Sequence, residues 1–196
     1  MTPTIRTERL VMQAPFLHEN MDVAHHLRWL TNKHIMQYSE NRHLTHSTAS
    51  QYEYLCSFDQ ENDYFWEVVR CGIPIGSISA HLDIPNRTAN LGVMIGDDSH
   101  HGHAYGLEAW HGVCEWLFSQ DTRKIEAGCM ACNKPMIKLL ERCGFDHEAT
   151  IPGHFLFNGK PMDKVCYGKT QKAKIIPIPA RSRRRESVLG SAGDAA

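Results

Sequence analysis

No run of apolar residues in this sequence approaches the roughly 18 that a membrane-spanning helix requires, which leaves no expected membrane segment. The opening MTPTIRTERLVMQAP lacks a cationic start followed by an apolar stretch, so a secretory signal is not expected and the expected compartment is the cytoplasm. Excess charge is missing too: the net charge of -1 is not the footprint of a nucleic-acid binder. Neither G-x-G-x-x-G nor G-x-x-x-x-G-K-[ST] occurs, which excludes the Rossmann fingerprint and the P-loop. The seven cysteines are odd in number and scattered over apolar positions, which predicts reduced, buried thiols rather than a disulfide framework. Cys129 and Cys132 form a C-x-x-C with no second pair, so neither structural zinc nor redox chemistry is expected there.

The charge that is present is uneven. Residues 171–196 hold six basic and two acidic side chains, a net of +4, which leaves -5 for residues 1–170. This tail, rich in Pro, Arg, Ser, Gly and Ala, has no amphipathic period and is expected to be disordered. The mildly acidic body suits a cationic substrate such as an amine.

The body, 1–170, reads as one domain. TERLVMQAP alternates like an opening strand, and Met21, Ala24, Leu27 and Leu30 fall at helical spacing. STASQYEYLCSF predicts a second helix capped by Ser47 or Thr48. YFWEVVR and IPIGSISAHLD predict strands turning at Cys71-Gly72, with TANLGVMIG as the next. From Gly106 the period becomes helical, with Leu107, Trp110, Cys114 and Leu117 on one face. RKIEAGCMAC returns to strand, and NKPMIKLLERCGF is a helix with Asn133 as N-cap and Gly144 as stop. Asn158-Gly159 marks a closing hairpin. The order β-α-α-β-β-β-α-β-α-β-β describes a mixed α/β domain, its mostly antiparallel sheet covered by helices on both faces.

The junction GDDSHHGHAYGLEAW is the most informative stretch. A strand that passes through a Gly-rich loop into a helix aims loop amides and the helix's first free N–H groups at one point, a phosphate-binding geometry. Gly102, Ala104 and Gly106 are small enough for close approach. His100, His101 and His103 draw attention as metal ligands, but no metal is expected. They read instead as partly exposed imidazoles near phosphate.

HHGHAYGLEAW resembles the pyrophosphate-binding segment of the GNAT superfamily of acetyl-CoA-dependent N-acetyltransferases, whose pattern is [RQ]-x-x-G-x-[GA]. His101 stands at the Arg/Gln position, Ala104 at the first Gly and Gly106 at the last. NKPMIKLLERCGF resembles the second signature, N-x-x-S-x-x-L-x-E-[KR]-x-G-F, through Asn133, Leu139, Glu141, Arg142, Gly144 and Phe145, with Met136 in place of the Ser. The opening IRTERLVMQAP, the helix end RWLTNKHIMQYSE and the final hairpin resemble the ribosomal-protein (Rim-type) branch. Together the likeness covers residues 4–170.

The resemblance implies acetyl transfer from acetyl-CoA to a primary amine, by direct attack in a ternary complex and without a metal. It places the pyrophosphate on the backbone of His101, Gly102, His103, Ala104, Tyr105 and Gly106, and the pantetheine along Met94, Ile95 and Gly96. A backbone N–H at Met94 or Ile95 would face the thioester oxygen, and Asn133 would face the cofactor. Two departures matter. Leu140 stands where many relatives carry a Tyr acid, and Asn90 where many Rim-type relatives carry a carboxylate. Base candidates therefore become Glu40, His81, Asp83 and Glu67, with Tyr38, Glu40 and Arg42 as substrate contacts. The expected acceptor is a small-molecule amine or amino sugar, taken up by a monomer or homodimer. A protein N-terminus and a non-catalytic CoA-binding module are the alternatives.

Overall fold

The computed structural model describes residues 2–15 and 23–171. The predicted tail from residue 172 onward and the predicted helical position Met21 lie outside the described residues. An eight-stranded sheet runs in the order β1-β2-β3-β4-β5-β6-β8-β7. Its strands are β1 (Ile5–Arg6), β2 (Val11–Gln13), β3 (Asp63–Arg70), β4 (Ile73–Asp83), β5 (Thr88–Ile95), β6 (Lys124–Met130), β7 (Asp146–Phe157) and β8 (Lys160–Thr170). The helices are α1 (Ala24–Thr31), α2 (Lys33–Met36), α3 (Thr48–Cys56), α4 (Tyr105–Ser119) and α5 (Lys134–Arg142). The pairing is antiparallel except between β5 and β6.

Most boundaries follow the local chemistry read from the sequence. Cys71 and Gly72 both have positive φ, as do Asn158 and Gly159, the conformation a two-residue hairpin turn demands. Ser47 accepts from the Ser50 amide, closing a capping box at the start of α3. Three expectations need correction. The expected opening strand over 7–15 shortens to β2, with a separate β1 before it, because the Thr7 hydroxyl turns the chain through contacts with Leu10 and Glu108 draws in the Arg9 amide at 2.8 Å. A short additional helix, α2, follows α1, started by the Asn32 side chain, which accepts from His34 N. Finally, β7 begins at Asp146 rather than near Gly153. Pro152 and Gly153 disguise it, and its position at the sheet edge tolerates them along with a register break between Ile151 and Phe155.

The sheet separates two apolar clusters. Trp66, Val68, Ile78 and Leu91 pack with Trp110, Leu117 and Leu140 of α4 and α5. Alternate residues of β3 point the other way, and Phe65 joins Val23, Leu55 and Phe58 beneath α1 and α3. All seven cysteines are free. Burial pushes the Cys129 and Cys143 thiols up to about 11, so both stay protonated near neutral pH.

Candidate active site

The site begins with a divergence of two parallel strands. β5 pairs with β6 only at Thr88, Ala89 and Asn90, and beyond that point β6 pairs with β8 alone. Gly96 gives its amide to Ile75 O at 2.9 Å, and Met94 lies opposite Ser77. Even-numbered residues of β5 thus spend their backbone groups on β4. Backbone direction alternates along a strand, so the amides of Leu91, Val93 and Ile95 face the gap left by β6. This singles out Ile95, not Met94, as the residue whose N–H faces the gap. Gly96 has a packing reason as well: a Cβ there would overlap the Trp29 ring.

Just past β5 the chain passes through the glycine loop into α4. Gly102 (φ 80°) and Ala104 (φ 61°) are both left-handed, and Ala104 is the N-cap of α4 without any side-chain cap bond. The helix ladder starts with Glu108 N on Ala104 O, while His101 N closes a turn onto Asp98 O at 3.1 Å. The amides of residues 102–107 therefore stand outside the helix ladder at the positive end of a 15-residue helix, a ready anion site. Gly106 lies between β5 and α5, where a Cβ would meet Ile95 Cγ1 at 3.4 Å and Leu139 Cδ1 at 3.5 Å, ordinary contact distances.

The three loop histidines do three different things. His101 Nε2 bonds Ile95 O at 2.8 Å, tying the loop to the end of β5. His100 Nδ1 sits 3.2 Å from Asp97, and His103 stacks on Tyr105. The structure thus binds the His101 ring to protein backbone. Its ring also shares an exposed cluster with His34 and Asp98.

Beside the loop lies a groove of about 450 Å³ that carries Arg6, Arg9 and Arg142 next to Ala104. Arg9 bonds His103 O and Glu108 Oε2 and lies over the Tyr105 ring. Arg6 and Arg9 carry no signal of this role in the sequence, since nothing in a strand-forming segment announces that it folds back beside residues 103–108. Asn133 is the N-cap of α5, its side chain accepting from Met136 N at 3.2 Å. Leu140, at the position of the missing Tyr acid, is fully buried in the core.

On the opposite face of the sheet a second cavity of about 460 Å³ opens between β4, β5 and the α1–α3 segment. Its walls include Ser39, Asn41, Gln51, Ser77, Ser79 and Met94, and no Asp, Glu, Lys or Arg is among the lining residues. The base candidates divide around it. Glu40 is exposed and lies outside the lining, although its neighbours Ser39 and Asn41 belong to it. Asp83 is drawn away into a turn, where it accepts from Asn86 N at 3.0 Å and Asn86 Nδ2 at 2.8 Å; those bonds hold its carboxyl below the usual range. His81 is half-exposed and bonded to Asp63. Neither Asp83 nor His81 lines the cavity.

Tyr38 and Arg42 also have other work. Tyr38 stacks on Phe157, and Arg42 donates to Ser39 O (2.6 Å) and Leu156 O (2.8 Å), so both fasten the 38–43 turn to β7. Glu67 is the one base candidate that is buried. Burial pushes its carboxyl up, but the hydrogen bond from His25 and the positive charge of His25 and His26 outweigh that and hold it at about 2. His26 and Gln51 join the cavity wall without a motif in the sequence to mark them. A polar residue repeating with the helix period on an inward face was the only available signal.

Comparison with known proteins matches residues 9–146 to the family model described as acetyltransferase (GNAT) domain. No curated protein matches. Among solved structures, the chain is similar to the RimL ribosomal L7/L12 alpha-N-protein acetyltransferase in complex with coenzyme A, with a TM-score of 0.75 and 17% identity over 86% of this chain and 98% of that one. A GNAT-family acetyltransferase from Bacillus anthracis gives 0.72 and 18% over 86% and 98%. The microcin C7 self-immunity acetyltransferase MccE, in complex with acetyl-CoA and AMP, gives 0.70 and 15% over 84% and 94%. At these identities the likeness is one of fold.

Proposed function

Since the chain belongs to the GNAT family of acetyltransferases and is an acetyl-CoA-dependent acyltransferase, we propose that its acceptor is a small, hydroxyl-rich primary amine such as an amino sugar. The observation that carries this reading is the second cavity. About 460 Å³ is the size of a small-molecule site, and its polar lining is made of hydroxyls, amides and imidazoles without a charged carboxylate or cation. A polyamine would call for acidic walls. An extended peptide would call for an open trough, whereas Arg42 and Tyr38 fasten the 38–43 turn to β7 beside this cavity.

In this reading acetyl-CoA supplies an acetyl thioester from the other side of the sheet. The amides of residues 102–107 and the end of α4 hold its pyrophosphate, and Arg6, Arg9 and Arg142 lie where the nucleotide's further phosphate would need cations. The Ile95 N–H faces the gap and stabilises charge on the thioester oxygen, a contribution of ~3 kcal/mol for a well-aimed donor. His101 supports that strand end through its bond to Ile95 O. Asn133 starts α5 next to the gap. The amine enters through the gap from the cavity beneath Met94 and Ser77 and attacks directly.

A thiol-release assay with acetyl-CoA and a panel of amino sugars, polyamines and Ser- or Ala-initiated peptides tests the acceptor. Turnover is expected with amino sugars. Turnover with peptides alone would replace this reading by protein N-terminal acetylation, and tight coenzyme A binding without any turnover would make the chain a CoA-binding module.

A further inference from the structure

The reaction needs a group that takes a proton from the incoming ammonium, and none of the bases expected from the sequence, Glu67 included, lines the cavity. The wall itself supplies another. His26 lines the cavity, yet its side chain is only 2% exposed, and neither ring nitrogen has a hydrogen-bond partner among the described residues. Burying a polar ring without partners costs free energy, so its retention asks for a reason. His26 Nε2 stands 3.3 Å from Glu67 Oε1, out of hydrogen-bond alignment, and His25 Nε2 takes the same oxygen at 3.0 Å. The two nitrogens of an imidazole point in nearly opposite directions. Both ring nitrogens are sealed from solvent, so with Nε2 turned to Glu67 it is Nδ1 that exchanges a proton, once a water or the amine from the cavity reaches the ring. The ring also contacts Trp29, which covers Gly96, the residue after Ile95.

We propose that His26 is the general base for the acceptor amine and that Glu67 is its positioning residue. The inference rests on the acetyl-transfer reading above. The ammonium gives one proton to His26 Nδ1. The neutral nitrogen then forms its bond to the acetyl carbon as the carbon–sulfur bond breaks, and a second amine proton ends on the departing sulfur. The third stays on the amide, and His26 returns its proton to solvent. Glu67 from β3 stabilises the charged imidazole and fixes which nitrogen faces it. His25 on the same helix shares that carboxylate, and Tyr54 and His46 are the other titratable groups lining the cavity.

His25, His26 and Glu67 also bring three potential metal ligands within 4.8 Å of one another. A metal-bound imidazole normally anchors its second nitrogen on an acceptor, and His26 Nδ1 has none. This favours a proton carrier over a metal centre.

The test compares wild type, His26→Asn and Glu67→Gln, each first checked for folding by thermal melting and for coenzyme A binding. Thiol release is followed across pH with glucosamine as acceptor, and separately with water alone. His26→Asn is expected to lower kcat by about 100-fold or more and to remove the ionisation that wild type shows. Glu67→Gln is expected to lower kcat with the acceptor KM and coenzyme A affinity unchanged, a split that a merely structural role would not give. A folded His26→Asn variant with the wild-type rate and pH profile overturns the proposal. So does one equivalent of Zn²⁺ bound by wild type and lost in His25→Ala, which would make the cluster a metal site. If glucosamine fails while hydrolysis still depends on His26, the acceptor assignment falls and the base stands. If wild type releases no thiol with any acceptor, both fall.

Discussion

Ala104 carries a conformation that glycine holds more cheaply, with φ 61° and ψ 18° at the head of α4. The left-handed region costs an L-residue ~1–2 kcal/mol, and glycine's greater freedom when unfolded returns part of that. Ala104→Gly is therefore expected to leave stability unchanged or raise it by up to ~1 kcal/mol, with coenzyme A affinity retained. Chemical denaturation measures it, and a clear loss would contradict the strain. Glu67 gives a pH prediction. Its carboxyl is held at about 2 against an ordinary 4.5, so the folded state prefers it ionised. That stabilisation is complete above pH 4.5 and is lost as pH falls toward about 2. Unfolding curves over this range should show wild type losing stability where Glu67→Gln loses less; parallel curves would deny Glu67 the role. Individual residues were unevenly legible in the sequence. Asn133 and Ser47 act locally, as caps, and their spacing reveals them. His101 and His26 are defined by what the fold brings against them, Ile95 O in one case and Glu67 in the other.

At the scale of elements, the 38–43 turn is the part most exposed to a single change. Arg42 reaches across to Leu156 O on β7, and Tyr38 stacks on Phe157. Arg42→Ala removes both carbonyl contacts of the guanidinium and frees the turn that carries Ser39 and Asn41 into the cavity wall. The acceptor KM is expected to rise several-fold with the acetyl-CoA KM unchanged, because the loop proposed to hold the cofactor lies on the other side of β5. Steady-state kinetics with each substrate varied in turn distinguish this from a general loss of fold, which would move both. Here too, local chemistry decided what could be read. The β3–β4 and β7–β8 turns are written as Cys71-Gly72 and Asn158-Gly159, whereas the break between β1 and β2 depends on Glu108, about a hundred residues away in the chain.

The whole molecule is organised by the early parting of β5 from β6. One side of the opening presents the amides of residues 102–107, the Ile95 backbone and three arginines. The other presents a cavity in which hydroxyls, amides and imidazoles stand among apolar side chains such as Leu30, Met36 and Phe65, without Asp, Glu, Lys or Arg, and which His26 helps to line. No helix among the described residues is long and apolar enough to cross a membrane. The loop at His101–Gly106 and the helix start at Asn133 were legible as local structure, because backbone geometry there requires small residues and a cap at fixed spacing. The acceptor side was not legible, since its walls come from six separate segments joined only by the fold. Mass spectrometry of amine mixtures incubated with the enzyme and acetyl-CoA tests the central claim most directly. The account predicts that amino sugars gain the mass of one acetyl group while peptides in the same mixture do not; acetylated peptide N-termini beside untouched amino sugars would contradict it.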